Sequence, residues 1–162
     1  MTTAIASTNN AINVTMGQVS MAHVPNQLSA VLGSCIAVTL YHPHLKTGIM
    51  AHVVLPNSAG NKKLPGKFAD TAIPYMLEIL KNSGVPSMGL VAKIAGGSTM
   101  FGNAGLQALT DSVVAALLQA LDQSHLPVFG KHIGGDKGRR ATFDTDTGRM
   151  TISVVGCEDV VI

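Results

Sequence analysis

The sequence predicts an α/β domain, and three observations carry that expectation. Hydrophobic residues make up 46% of the 162 and charged residues only 12%, a balance that fills a core and argues against a disordered chain. Apolar residues recur in several short, strand-like runs bounded by turn residues, whereas two longer segments repeat theirs at helical spacing. The 17 glycines and 7 prolines fall mostly between these segments, where turns are required. Strands outnumber helices, so the expected architecture has helices covering one or more sheets.

Residues 1–13 are rich in Thr, Asn, Ser and Ala and are expected to form a flexible lead-in, with a single domain over residues 14–162. Strands are expected at 14–20 and 28–32, separated by Pro25-Asn26. The runs 36–41 and 49–55 flank His42-Pro43-His44-Leu45-Lys46-Thr47-Gly48, whose proline and glycine make the pair a β-hairpin. Ile73, Met76, Leu77 and Leu80 follow the i, i+3, i+4, i+7 pattern of a helix, with Asp70 or Thr71 as cap, Pro74 acceptable in the first turn and Gly84 as stop. A buried strand over 90–95 runs into Gly96-Gly97-Ser98. A second helix over 106–121 carries Leu106, Leu109, Val113, Leu117 and Leu121 on one stripe. Residues 128–133 form a strand, Gly134-Gly135-Asp136-Lys137-Gly138 a tight loop, and 141–144 with 149–155 a closing hairpin.

Composition also excludes function classes. A formal net charge of +2, no tryptophan and one short basic turn, Lys137-Gly138-Arg139-Arg140, argue against nucleic acid as a partner. No unbroken apolar run reaches the roughly 18 residues that a membrane helix needs, so direct membrane insertion is not expected. The first ten residues lack a basic, then apolar, signal-peptide pattern. Two cysteines without CxxC spacing form neither a disulfide framework nor a zinc site. The expected location is the cytoplasm, where a free thiol stays reduced.

One constellation stands out. Cys35 follows Leu32-Gly33-Ser34, and His52 closes Gly48-Ile49-Met50-Ala51-His52 on the next strand. A thiol beside an imidazole can attack an acyl carbon once the base removes the thiol proton. If Leu40 faces Ile49, Cys35 faces Val54 and lies diagonal to His52 on the same face, because side chains alternate along a strand. A register shifted by one would separate them. Most cysteines are simply small buried hydrophobes and most strand histidines are satisfied core residues; the shared hairpin raises this pair above both. Gly33 permits a bend that aims the Cys35 N–H at a developing oxyanion. Cys157 reads as structural, and His42 and His44, without further ligands nearby, as solvated turn residues. The loops at 96–99 and 134–138 fit no phosphate-binding spacing and read as tight turns that line a cleft.

These blocks, together with Phe68-Ala69-Asp70-Thr71-Ala72-Ile73 and Lys93-Ile94-Ala95-Gly96-Gly97-Ser98-Thr99-Met100-Phe101, resemble the chemoreceptor glutamine deamidase family of bacterial chemotaxis (CheD) over residues 14–156. The resemblance implies a single-domain α/β sandwich related to the catalytic domain of cytotoxic necrotizing factor-type toxins. It implies a Cys–His hydrolase that needs no cofactor and converts glutamines on methyl-accepting chemotaxis receptors to glutamates, with receptor methylesterase activity as a further possibility. Cys35 matches the family's nucleophile and His52 its base. The family's third residue is a threonine six positions before the cysteine; Ser29 stands there and keeps the hydroxyl. After Phe101 the chain reads Ala104-Gly105-Leu106-Gln107-Ala108, without the Arg and Asn common in the family. The implied partners are the cytoplasmic helices of the receptors and a CheC-type phosphatase. An adaptor that binds either one without catalysis is the alternative.

Overall fold

The computed structural model describes residues 11–99 and 102–162. Ten strands and two helices follow one another as β1 (Ala11–Asn13), β2 (Val19–His23), β3 (Gln27–Leu32), β4 (Ile36–His42), β5 (Thr47–Val53), α1 (Ala69–Asn82), β6 (Val91–Gly96), α2 (Ala104–Gln123), β7 (Val128–Ile133), β8 (Arg139–Asp144), β9 (Met150–Ser153) and β10 (Val160–Val161). The strands divide into two five-stranded sheets, ordered β1-β3-β8-β9-β10 and β2-β5-β4-β6-β7.

Alternation along β4 and β5 explains why the second sheet lies in the middle of three layers. Ile36, Val38 and Leu40 with Ile49, Ala51 and Val53 join Ile73, Met76 and Leu80 of α1 and Val113, Leu117 and Leu121 of α2 in one core. The intervening residues Ala37, Tyr41 and Met50 instead meet Leu28, Ala30, Leu32, Ala141 and Phe143 of the first sheet in a second core. Both faces of the hairpin are buried, which is why its residues read as continuous apolar runs. The molecule is therefore an α/β protein with helices on one side of a two-sheet sandwich.

Of the expected strand over 14–20 only Val19 and Ser20 are extended, as the start of β2, and β1 ends at Asn13 before that span begins. β1 pairs in parallel with β3 and β2 antiparallel with β5, and Gly17, at φ +81°, turns the chain between them. Residues 1–10 of the expected lead-in lie outside the described residues, whereas Ala11–Asn13 already belong to a sheet, so folded structure begins before residue 14. In α1 the proline is not in the first turn: Pro74 is the sixth residue, and without an N–H it leaves the Asp70 carbonyl without its helical donor. Asp70 does not cap that helix; its carboxylate accepts from the N–H and hydroxyl of Ser58, both at 2.9 Å.

Helix α2 is the one helix among the described residues long and apolar enough to cross a membrane by length and composition. Thr110, Val113, Leu117 and Leu121 face the protein core, while Leu109, placed on that stripe by sequence, is exposed.

Candidate active site

The hairpin register decides whether thiol and imidazole meet. Leu40 pairs with Ile49, Ala37 with His52 and Ile36 with Val53. One step beyond, Cys35 stands opposite Val54, so Cys35 and His52 are diagonal neighbours on one face. Diagonal residues on such a pair stand roughly 7–8 Å apart at Cα, within reach of long side chains. Cys35 belongs to the core between the sheets, at the end of the sandwich where β3 passes to β4, and is 9% exposed; His52 is 4% exposed.

The imidazole is held by a backbone carbonyl. Its Nδ1 lies 2.9 Å from the Val14 carbonyl oxygen. A carbonyl only accepts, so Nδ1 carries the hydrogen and Nε2 keeps the lone pair that a base needs. The backbone of His52 is fixed as well, donating to the Gln18 carbonyl at 3.1 Å and accepting from the Gly17 N–H at 2.9 Å. Burial pushes the His52 pKa below the usual histidine value, an effect partly offset by the Val14 bond. Burial pushes the Cys35 thiol up. Both shifts favour the uncharged thiol and the uncharged imidazole over a thiolate–imidazolium pair.

Two glycine-bearing loops bracket the cysteine. The Gly97 N–H donates to the Cys35 carbonyl and the Ser98 N–H to the Gly33 carbonyl, each at 3.0 Å. Gly96 has φ +120°, and a Cβ there would collide with the Cys35 carbonyl oxygen, so only glycine fits. The second loop docks on the first: the Gly134 N–H donates to the Gly96 carbonyl, and the Thr99 N–H to the Gly135 carbonyl. Among the described residues, the N–H groups of Ser34 and Cys35 have no hydrogen-bond partner in the protein. Unpaired backbone donors beside a nucleophile are what an oxyanion hole requires.

Ser29 does not fill the role that its position suggested. Leu28 and Ala30 face the core between the sheets, so alternation turns the Ser29 side chain to the opposite face. Its Oγ lies 3.5 Å from Thr142 Oγ1 and accepts from Arg140 at 3.3 Å, and it makes no bond to His52. The contribution of residue 29 runs through its main chain: the Ser29 carbonyl accepts from the Val14 N–H at 2.7 Å, and Val14 then holds the ring. Ser29→Ala is therefore expected to keep kcat within about threefold and to lower stability by about 1 kcal/mol, the usual cost of one modest hydrogen bond. Steady-state kinetics with thermal unfolding checks this, and a hundredfold loss in kcat would restore the hydroxyl as the orienting group.

The remaining candidates disperse. His42 is buried rather than solvated, its Nδ1 accepting from the Leu45 N–H at 3.3 Å. No group of three or more potential metal ligands of the His, Cys, Asp and Glu types gathers among the described residues. Cys157 is exposed, on the turn between β9 and β10.

The sequence matches, over residues 54–154, the family described as CheD chemotactic sensory transduction. A relative from Clostridium kluyveri, named "Probable chemoreceptor glutamine deamidase CheD", is 36% identical over 90% of this chain and 93% of its own length. The "Chemoreceptor glutamine deamidase CheD" of Thermotoga maritima is 39% identical over 77% of this chain and 79% of its own. Among solved structures, the Bacillus licheniformis hypothetical protein YfiH superposes with a TM-score of 0.48 at 14% identity, covering 76% of this chain and 59% of that one.

Proposed function

The chain belongs to the CheD family, and from that premise we propose that it is a hydrolase that deamidates glutamine side chains on the cytoplasmic helices of methyl-accepting chemotaxis receptors. The observation that supports this most directly is the register that sets Cys35 beside a neutral, singly oriented His52.

The reaction runs in two halves. His52 Nε2 takes the Cys35 proton as sulfur attacks the side-chain amide carbon, and the carbonyl electrons move onto oxygen. The N–H groups of Ser34 and Cys35 stabilise that oxyanion. As the carbonyl re-forms, the C–N bond breaks and the imidazolium returns its proton to the departing ammonia. Water, deprotonated by Nε2, attacks the thioester and releases glutamate with Cys35 reprotonated. Val14 holds the ring in one tautomer throughout, the part an acid plays in other triads. A glutamate methyl ester presents the same carbonyl with methanol as leaving group, so methylesterase activity follows from the same machinery. No step calls for a cofactor.

The test is incubation with a receptor cytoplasmic fragment, reading ammonia together with glutamine-to-glutamate conversion by mass spectrometry. Conversion at defined glutamines with matching ammonia is the expected result. Tight binding without turnover would instead make the protein an adaptor, and backbone cleavage a peptidase. A CheC-type phosphatase, the second partner that the family resemblance implies, is proposed to occupy the same end of the sandwich. It should compete with the receptor fragment in a titration; simultaneous saturation by both would separate the surfaces.

A further inference from the structure

A groove lies on the outer face of the first sheet. It encloses ≈ 750 Å³, and its walls include Val31, Arg139, Arg140, Val155 and Lys137, with Asp136 as the one carboxylate of the lining. Val31 is 58% and Val155 96% exposed. Val31 pairs with Arg140, and Arg140 with Ser153, so one row of side chains crosses three strands.

Positive charge is in excess at this groove, with Lys137, Arg139 and Arg140 against the single carboxylate of Asp136. Among the described residues the one ion pair is Lys46–Asp146, at the other end of the sandwich. Arg139 serves as a staple rather than a ligand. One of its terminal nitrogens donates to His132 Nδ1 at 2.7 Å and to the His132 carbonyl at 3.0 Å. The other donates to the carbonyls of Gly134 and Lys137. It thereby fixes the loop that presents Lys137, leaving Lys137 and Arg140 exposed beside the two valines.

We propose that this groove docks an acidic, amphipathic helix: the stretch of the receptor helix that flanks the target glutamine. The proposal rests on the deamidase reading above. Exposed valines beside Lys137 and Arg140, neither of which forms an ion pair among the described residues, complement a helix face that carries aliphatic and carboxylate side chains. The groove also specifies the occupant's backbone. β3 and β8 are interior strands, their N–H and C=O groups already paired, so nothing here completes an added strand; the occupant must satisfy its own backbone, as a helix does.

The separation along the chain between Val31 and Cys35 bounds the span. Val31 lies four residues before Cys35, and Gly138 packs so closely on the Leu32 carbonyl that a Cβ there would come within 3.3 Å. Four residues of extended chain cover at most about 13 Å, and a helix covers about 13 Å in roughly nine residues. The acidic residues read by Lys137 and Arg140 therefore lie within about two to three helical turns of the glutamine.

The experiment compares wild type with Lys137→Glu/Arg140→Glu on a receptor cytoplasmic fragment, following deamidation kinetics at several salt concentrations. The double variant is expected to lose about tenfold in kcat/KM, mostly through KM, the size expected from reversing two rim charges. Wild-type kcat/KM should fall with added salt and that slope should flatten in the variant. The rate of Cys35 alkylation and the thermal unfolding midpoint establish that the variant keeps its fold, and Arg140→Gln alone is the milder substitute. Wild-type kinetics in the variant, or equal salt slopes, would overturn the docking surface while leaving the deamidase intact. A wild type inert on receptor fragments would remove both.

Discussion

Cys35→Ala protein is expected to release no measurable ammonia from a receptor fragment, a loss of at least about four orders of magnitude in kcat. The reason is that nothing else at the site can form the covalent intermediate. Cys157 is exposed on a turn after β9, and Ser98, although close to the Gly33 backbone, has a buried hydroxyl without a partner among the described residues. The variant should fold: the side chain is small, sits at the end of the sandwich, and its removal costs about 1 kcal/mol of lost packing. Receptor binding should persist, since the docking surfaces lie around the cysteine and not on it. A second readout tests the state of the thiol. Burial raises its pKa from the ordinary 9.0, so the rate of Cys35 alkylation in wild type should keep rising beyond that pH. A plateau already reached near neutrality would mean a preformed thiolate–imidazolium pair and would overturn the neutral-pair mechanism. Conversion that persists in Cys35→Ala would overturn the nucleophile outright.

How much of this was legible in the sequence depends on how local the determining interaction is. The β4–β5 register was, because a short turn joins the strands and the apolar pattern at Leu40 and Ile49 leaves little freedom to slip; Leu40 does pair with Ile49. The helical stripes were legible for the same reason, except at Leu109, because the buried face of α2 runs through Thr110, Val113 and Leu117 and leaves Leu109 outside it. Strand β1 was not. Three residues with no strong β pattern are held by parallel pairing to β3, a partner whose position sequence alone does not reveal. The group that orients His52 was hidden more deeply. A main-chain carbonyl has no side-chain signature, so Val14 looked like any apolar strand residue, and Ser29 drew attention because it stands where the family resemblance places a threonine. Ser29 is nonetheless next to the answer, bonded through its backbone to Val14. The two glycine-bearing loops show the converse case. Their spacing excluded phosphate binding, but their use as brackets for Cys35 emerges only when β6 and β7 are seen to end beside it.

His52→Gln is expected to lower kcat by about 10³-fold, the upper-middle range for loss of a general acid–base group, and to change the pH dependence in a way that a packing defect would not. Glutamine can still donate to the Val14 carbonyl and preserve the buried hydrogen bond, but it cannot take the thiol proton. In wild type the acid limb of kcat/KM reports protonation of His52. Burial lowers that pKa from the ordinary 6.5, so activity should persist below pH 6.5 before falling, and His52→Gln should show no such limb. Stability carries the same signature. The folded imidazole binds a proton less readily than the unfolded one, so between the lowered pKa and 6.5 the unfolded chain takes up more protons. Wild-type stability is then fully present above 6.5 and declines as pH falls through that window; the glutamine variant loses this contribution to the slope. Chemical denaturation at a series of pH values measures it directly. An acid limb placed above 6.5, or identical pH–stability slopes in both proteins, would show that His52 is not the buried neutral base on which the two-step reaction depends.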